Sequence, residues 1–127
     1  MLIQIDTYAE KPIYEQLRDT IIFGIASGQL AEGEALPSAR ALGADLGVNF
    51  HTVNKAYDIL RGDGYLVMDR RTTAIVAPRG ARGGLSAAFA EKLTMCAAEA
   101  ICHCVDENAF VEICVGNYRK IKGGDIS

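Results

Sequence analysis

The segment from Leu36 to Leu66 constrains the fold of this chain more than any other part of it. Ser38 is placed to cap a helix running to about Leu46, because its hydroxyl accepts an otherwise unpaired backbone N–H. Gly47 then permits a tight turn, and Asn49 is a second capping residue two positions later. The segment therefore predicts two short helices joined by a turn, with a Gly-flanked exit into a strand.

The second of these helices has two chemically different sides. Its predicted inward side comprises Val53, Ala56, Tyr57 and Leu60. Its opposite side comprises His51, Thr52, Asn54, Lys55 and Asp58. One common use places small and polar groups on the outer face of such a helix, and that use is insertion into a DNA groove. Tyr57 is aromatic but belongs to the inward side, so it is interpreted as a core residue.

Upstream of this pair, an amphipathic helix is predicted to begin after Pro12, which the first turn of a helix tolerates. Apolar residues recur every four positions, at Ile13, Leu17, Ile21 and Ile25. Gly28 is expected to end the helix. Residues 2–6 alternate apolar and polar side chains, as a short strand would, and residues 31–37 are loop-like in composition.

Downstream of the pair, two apolar runs flank a polar turn. Residues 65–68 and 74–77 lie on either side of Asp69–Thr73, which predicts a two-stranded hairpin. Three helices followed by a hairpin is the order of a winged helix. The expected fold is therefore mostly α-helical with a small β-hairpin wing, forming a winged helix-turn-helix DNA-binding domain over residues 1–78.

Three motifs in this domain carry a family resemblance. They are the opening PIYEQL from Pro12, the pattern G-x-x-L-P-S-x-R that begins at Gly33, and L-G-V-N-x-x-T-V-x-x-A-Y from Leu46. Residues 2–78 resemble the DNA-binding domain of GntR-type bacterial regulators. The Asn49 form of the third motif, the PIYEQ opening and the short length are similar to the YtrA subfamily.

The resemblance implies a set of DNA-contacting residues. They are Ser38, Arg40, Asn49, His51, Thr52, Lys55, Arg70 and Arg71. Arg40 would contact phosphate or a base edge, the start of the second helix would read bases, and the two arginines at the hairpin tip would touch phosphate or the minor groove. Two departures matter: Phe50-His51 replaces the Pro-Asn common in relatives, and the wing lacks the usual Gly-x-Gly tip.

Charge does not favour nucleic-acid binding by one copy of the chain. The net charge is −3, and residues 1–78 hold seven Lys and Arg against ten Asp and Glu. Phosphate neutralisation supplies most non-specific affinity, so each monomer is expected to bind weakly and with strong salt dependence. This expectation favours a dimer.

A second, helical part follows a Gly- and Arg-rich linker at residues 79–84. A helix is expected from Leu85 to about Val105, with Ser86 helping to cap it, and another after Asp106. Two such helices cannot bury their apolar faces on each other alone. Residues 85–127 are therefore interpreted as a dimerisation or effector segment, with an identical chain as the simplest partner.

The four cysteines all lie in this second part, at Cys96, Cys102, Cys104 and Cys114. On a continuous helix the side chains of residues 102–104 would project about 100° apart and could not chelate together. No C-x-x-C pair exists. The cysteines are interpreted as small apolar fillers, and a redox or metal sensor, best served by Cys96 with Cys114, is an alternative.

Together these features predict a homodimeric, sequence-specific transcription regulator, a repressor, that binds a palindromic operator in double-stranded DNA. No catalytic residues, cofactor, metal or membrane association are expected, the effector is unknown, and the absence of a signal peptide or membrane span indicates a cytoplasmic protein. The alternatives are a metal-, redox- or small-ligand-responsive sensor using the C-terminal helices, and a winged-helix adaptor that binds proteins.

Overall fold

The computed structural model describes residues 3–78, 80 and 84–124. The chain divides into two compact units, Met1–Arg82 and Gly83–Ser127. In the described part of the chain, no helix is both long and apolar enough to span a membrane.

The first unit contains three helices and a hairpin. They are α1 (Ile13–Ser27), α2 (Ala39–Leu46), α3 (Phe50–Gly62), β1 (Leu66–Met68) and β2 (Ala74–Val76). The two strands are antiparallel, with Val67 opposite Ile75. The loop before α2 pairs briefly with the hairpin, because Ala35 forms an isolated antiparallel bridge with Ile75 of β2. The predicted order of a winged helix is confirmed.

The helix ends lie where the capping residues predicted them. Gly28 and Gly47 follow α1 and α2 with left-handed φ values of 85° and 70°, a conformation that costs glycine little. The Ser38 hydroxyl accepts a hydrogen bond from the Ala41 N–H at 3.1 Å, and Asn49 Oδ1 accepts one from the His51 N–H at 2.9 Å. Local chemistry therefore fixes the boundaries of the helix-turn-helix.

The core of this unit lies between the three helices and the hairpin. Its largest fully buried side chains are Leu17, Ile21, Val53, Leu60, Leu66 and Val76. The inward side predicted for α3 is confirmed, since its four members are all buried. At the turn between α2 and α3 the backbones come close: a Cβ at Gly43 would lie 2.9 Å from Val48 O and 3.2 Å from Phe50 Cα. Only glycine fits there without a backbone shift.

The strand predicted at the N-terminus is wrong for Ile3–Asp6, and Leu2 lies outside the described residues. A side chain takes the place of a neighbouring strand. The Gln16 amide accepts from the Asp6 N–H at 2.9 Å and donates to the Asp6 carbonyl at 2.9 Å. It also donates to the Lys11 carbonyl at 2.9 Å. The alternating pattern reflects Ile3 and Ile5 packing against the core.

The second unit contains α4 (Ala87–Cys102) and α5 (Glu107–Lys122). The predicted caps are present: Ser86 Oγ accepts from the Phe89 N–H and Asp106 Oδ1 from the Ala109 N–H. The helix expected to reach Val105 ends earlier, at Cys102. Cys104 is left-handed, with φ of 61°, and the Val105 N–H bonds to the Ala100 carbonyl at 2.9 Å, which closes the last turn.

Neither helix of the second unit has a buried residue. Large hydrophobic side chains are exposed along both helices and just before α4: Leu85, Phe89, Leu93, Met95, Ile101, Val111, Ile113, Val115 and Tyr118. Of the segment predicted as a linker, only Gly80 and Gly84 are described.

Candidate nucleic-acid interface

The outer face of α3 presents the polar side chains that the sequence placed there. His51, Asn54 and Lys55 are exposed, and Thr52 is half-buried. Asn49 precedes them as the helix cap, so its Oδ1 is already bonded to the backbone. Its two amide N–H groups are left to donate to a ligand. The start of α3 therefore presents donors from both the cap and the helix face.

The start of α2 contributes Ser38 and Arg40, which are both exposed. The Ser38 oxygen accepts the capping bond, and the hydroxyl proton remains a donor. The Arg40 guanidinium lies over the Phe50 ring, with Cζ 4.0 Å from the ring centroid. This contact joins α2 to the first turn of α3.

Lys55 is held in a similar way by another helix. Its Nζ lies 4.0 Å from the centroid of the Tyr14 ring on α1. A cation over an aromatic face is attracted by the ring quadrupole, by about 0.5–1 kcal/mol at an exposed site. Both helix-borne cations of the predicted site are thus positioned by aromatic rings.

The hairpin tip is organised by Asp69. Its Oδ1 accepts hydrogen bonds from the Arg71 and Thr73 N–H groups, each at 2.8 Å. Thr72 between them has a φ of 61°, which a β-branched residue adopts only with strain. The turn therefore takes the left-handed conformation that a glycine tip would supply, and it exposes Arg70 and Arg71.

A groove of about 280 Å³ separates the start of α2, the outer face of α3 and the wing. Its lining includes Ser38, Asn54, Asp58, Arg61 and Arg71. The structure thus brings the predicted residues Ser38 and Arg71 together. The remaining predicted residues (Arg40, Asn49, His51, Thr52, Lys55 and Arg70) do not line this groove.

Tyr57 and Pro37 both line this groove, and a hydrogen bond joins them. The Tyr57 hydroxyl donates to the Pro37 carbonyl at 2.8 Å, which fixes the segment before α2 against α3. Burial raises the pKa of Tyr57 to about 12. Tyr57 is therefore a neutral donor at physiological pH, and its interpretation as a core residue is confirmed.

The cations of residues 1–78 fall into two groups. Lys11 pairs with Asp19, Arg18 lies 3.2 Å from Asp19, and Arg61 lies 2.8 Å from Asp58. For the other four, Arg40, Lys55, Arg70 and Arg71, no carboxylate among the described residues lies within 4.0 Å. The four cations without a carboxylate are the four that the resemblance assigns to DNA.

Three residues of this surface were not in the predicted set. Phe50 and Tyr14 support Arg40 and Lys55, and Asn54 lines the groove. Asn54 was detectable, because it lies one helical turn before Asp58 on the polar side of α3. The two aromatic contacts join different helices, and no spacing within either helix indicates them.

The cysteines form no evident site in the described residues. All four are free thiols with exposed side chains. Because α4 ends at Cys102, residues 102–104 do not lie on one continuous helix, and the expected continuous helix is wrong at this point. Across 3–78, 80 and 84–124, however, no group of three or more His, Cys, Asp or Glu side chains is arranged to hold a metal ion.

Three helices, an antiparallel hairpin and a polar outer face on α3 define a winged helix-turn-helix domain. The sequence profile of the family described as "Bacterial regulatory proteins, gntR family" matches residues 13–76. The chain belongs to this family, and it carries the winged helix-turn-helix DNA-binding domain of the family's transcription regulators.

Two curated relatives are informative. The chain is 36% identical over 87 residues to the HTH-type transcriptional regulator Rv1152 of Mycobacterium tuberculosis, covering 68% of this chain and 64% of that protein. It is 33% identical over 84 residues to the HTH-type transcriptional repressor YtrA of Bacillus subtilis, covering 59% of this chain and 65% of that protein. The matched part thus spans a little under two thirds of each relative.

Solved structures support the same fold. A transcriptional antiterminator from Listeria monocytogenes EGD-e superimposes with a TM-score of 0.84 and 26% identity, over 100% of this chain and 97% of that one. YtrA from Sulfolobus acidocaldarius, a GntR-family transcription factor, gives a TM-score of 0.63 and 36% identity, over 79% of this chain and 99% of that one. The chain is a YtrA-like member of the family.

Proposed function

We propose that this chain is a homodimeric transcription repressor that binds a palindromic operator in double-stranded DNA. Family membership and the winged helix support DNA binding, and the Bacillus subtilis relative is a named repressor. The relatives of this chain are transcription regulators, so the activity that we propose is regulatory and not enzymatic. A regulator of this kind acts in the cytoplasm, where prokaryotic DNA lies.

In this proposal α3 enters the major groove with its N-terminal end towards the bases. His51, Thr52 and Lys55 face base edges or flanking phosphates, and the free amide of Asn49 donates beside them. Arg40 and Ser38 bind the backbone from the start of α2. Arg70 and Arg71 reach the adjacent phosphates from the wing.

The observation that carries the proposal is the division of the cations into two groups. A cation paired with a carboxylate must lose that partner to neutralise a phosphate, whereas an unpaired cation is available at once. Arg40, Lys55, Arg70 and Arg71 are unpaired among the described residues, and they lie on α2, α3 and the wing. A domain with a net negative charge thus places its available positive charge on the elements that a winged helix uses.

The test is a gel-shift series with duplexes selected from random DNA. Lys55→Ala is expected to weaken binding about tenfold and to reduce the salt slope by about one. Lys11→Ala is the matched control: it removes the same charge, and Asp19 keeps Arg18 at 3.2 Å. Equal effects of the two variants would remove Lys55 from the interface. Failure to select any sequence would refute DNA binding by this chain.

The proposed dimer forms through residues 85–127, joined to the DNA-binding domain of residues 1–78 by residues 79–84. The support is the uncovered apolar surface of α4 and α5, where Ile101 and Tyr118 are 74% and 68% exposed. Two tethered domains bind a palindrome far more tightly than either domain alone. Dimerisation thus compensates for the low charge of each copy.

Sedimentation tests this part separately. The whole chain is expected to sediment as a dimer, and Ile101→Ser is expected to raise its dissociation constant at least tenfold, because one apolar side chain is lost from each copy. Glu99→Ser, also on α4, is the polar control. A chain that stays monomeric at all concentrations would contradict the dimer. In cells, an operator-linked reporter should be silenced by the chain and released by Lys55→Ala.

A further inference from the structure

Three side chains lie together at the N-terminal end of α3. The Arg40 guanidinium lies 4.0 Å from the centroid of the Phe50 ring. The ring centroids of Phe50 and His51 are 4.1 Å apart, with an angle of 34° between their planes. Arg40 and His51 are exposed, while Phe50 is half-buried between the solvent and α2.

The geometry of the helix-turn-helix explains why Arg40 meets this ring. Arg40 and Gly43 are three residues apart in α2, so they share a face of that helix. The backbone of Gly43 is pressed against Phe50, since a Cβ at Gly43 would lie 3.2 Å from Phe50 Cα and 3.3 Å from Phe50 N. The Arg40 side chain, one turn earlier on that face, therefore lies above the first turn of α3.

Phe50 contributes little to the core. The hydrophobic residues packed against the core of the first unit include Leu46 and Val48 on either side of the turn, and Phe50 is not among them. Its ring is instead engaged by Arg40 and His51. A ring used in this way organises the surface and not the interior.

We propose that Phe50 is a positioning residue, whose ring holds the Arg40 guanidinium in the orientation that contacts DNA. This inference rests on the proposed DNA-binding function. Stacking uses the flat face of a guanidinium and leaves its in-plane N–H groups free to make paired hydrogen bonds with a phosphate or a guanine edge. An arginine that is already ordered loses less side-chain freedom on binding. Phe50 thus acts through Arg40 without touching DNA.

The experiment is a double-mutant cycle on a duplex selected by the wild-type protein from random DNA. Phe50→Leu keeps an apolar side chain and removes the ring. It is expected to weaken binding by about fivefold in the wild-type background and by less than about twofold in an Arg40→Ala background. Phe50→Trp keeps an aromatic face and should retain affinity within about twofold. Thermal unfolding of each variant checks that the fold is intact.

A measurement without DNA tests the contact between Arg40 and Phe50 by itself. The side-chain NMR signals of Arg40 should show the upfield shift that an aromatic ring imposes on groups above its face. Phe50→Leu should abolish this shift and Phe50→Trp should keep it. Lys55, which is held by Tyr14, provides the reference, because its signals should not change in either variant.

The outcomes separate the two proposals. Wild-type binding with equal losses from Phe50→Leu in both backgrounds, or with no loss at all, would overturn the positioning role while the proposed function survives. An unshifted Arg40 in the wild-type protein would overturn it as well. If the wild-type protein selects no DNA, the proposed function fails and the positioning role fails with it, whatever the NMR signals show.

Discussion

The two units of this chain both contain helices, but the first unit buries large hydrophobic side chains and the second leaves them exposed. In the first unit, Leu17, Ile21 and Leu60 are completely buried between elements that are distant in sequence. In the second unit α4 and α5 bury no residue, and Leu93 and Ile101 are 49% and 74% exposed. Similar helices thus have a complete core in one unit and none in the other.

The difference shows what a helix needs for stability. Most helical stability in proteins comes from packing of an apolar face against other elements, and less of it from the intrinsic propensity of the helix. In the first unit α3 packs on α1, on α2 and on β1. The helices of the second unit have 16 residues each and lack such a cover within their own unit. The first unit should therefore be stable by itself, and the second should depend on a partner.

The largest expected effect tests this contrast directly. Leu60→Ala should lower the free energy of unfolding of the first unit by about 2–5 kcal/mol, because it leaves a cavity in a closed core. Leu93→Ala, the same change in α4, should leave the first unit unaffected. Hydrogen exchange resolved by residue, with urea as denaturant, measures both. If both variants lowered the free energy of unfolding of the first unit by similar amounts, the two units would not differ in the way described.

Glycine positions give a second, smaller comparison. Gly43→Ala should destabilise the first unit by about 1–3 kcal/mol, because the new Cβ meets the Val48 carbonyl at 2.9 Å. Gly62→Ala is the control within the unit and Gly116→Ala the counterpart in α5, since neither Cβ would have a neighbour within 4 Å. Both should be neutral or stabilising by up to about 1 kcal/mol in thermal denaturation. If Gly43→Ala did not lower the stability of the first unit, the backbone around Val48 would have to shift at little cost.

Tyr57 gives a pH dependence that the second unit should not share. Its pKa is about 12 in the folded unit, above the usual value near 10, so its contribution is complete below about pH 10 and is lost as the pH rises towards 12. Tyr57→Phe should cost about 1 kcal/mol at neutral pH by removing the bond to Pro37, and should flatten the alkaline loss of stability. An unchanged alkaline profile in the variant would assign that loss to another group.

The smallest effect is expected at the wing. Thr72→Gly should relieve the strain of a left-handed threonine and stabilise the first unit by about 0.5–1 kcal/mol. Thr73→Gly is the matched control, because Thr73 is not in a left-handed conformation and the change brings the entropy cost of glycine without any relief of strain. Chemical denaturation of both variants decides the point. Destabilisation by Thr72→Gly equal to that by Thr73→Gly would show that the turn holds no strain.

Much of the first unit could be predicted from the sequence because its signals are local. Gly28, Ser38 and Asn49 mark helix ends by chemistry within a few residues, and the α3 pattern separates its two sides. The wrong strand at the N-terminus and the early end of α4 have a common cause. The Gln16 side chain hydrogen-bonds to the backbone of Asp6, and Cys104 adopts a left-handed φ. Residue type alone indicates neither.

The candidate site could be proposed residue by residue from the sequence, but the contacts that hold its side chains in place could not. The resemblance to the family pointed to the cations on α2, α3 and the wing. The contacts of Arg40 with Phe50 and of Lys55 with Tyr14 join helices through tertiary packing, so they appear only in the folded chain. The absence of carboxylate partners for these cations in the described residues is likewise a property of the fold.

The Gln16 side chain, which fastens the N-terminal segment to α1, has a practical consequence for handling the protein. Its three hydrogen bonds are between neutral groups, as is the bond from Tyr57 to Pro37. Dissolved ions screen charges but not contacts of this kind. A concentrated salt wash should therefore remove bound nucleic acid from a column-bound sample while these contacts stay formed, and the washed protein should bind added duplex DNA again in dilute buffer.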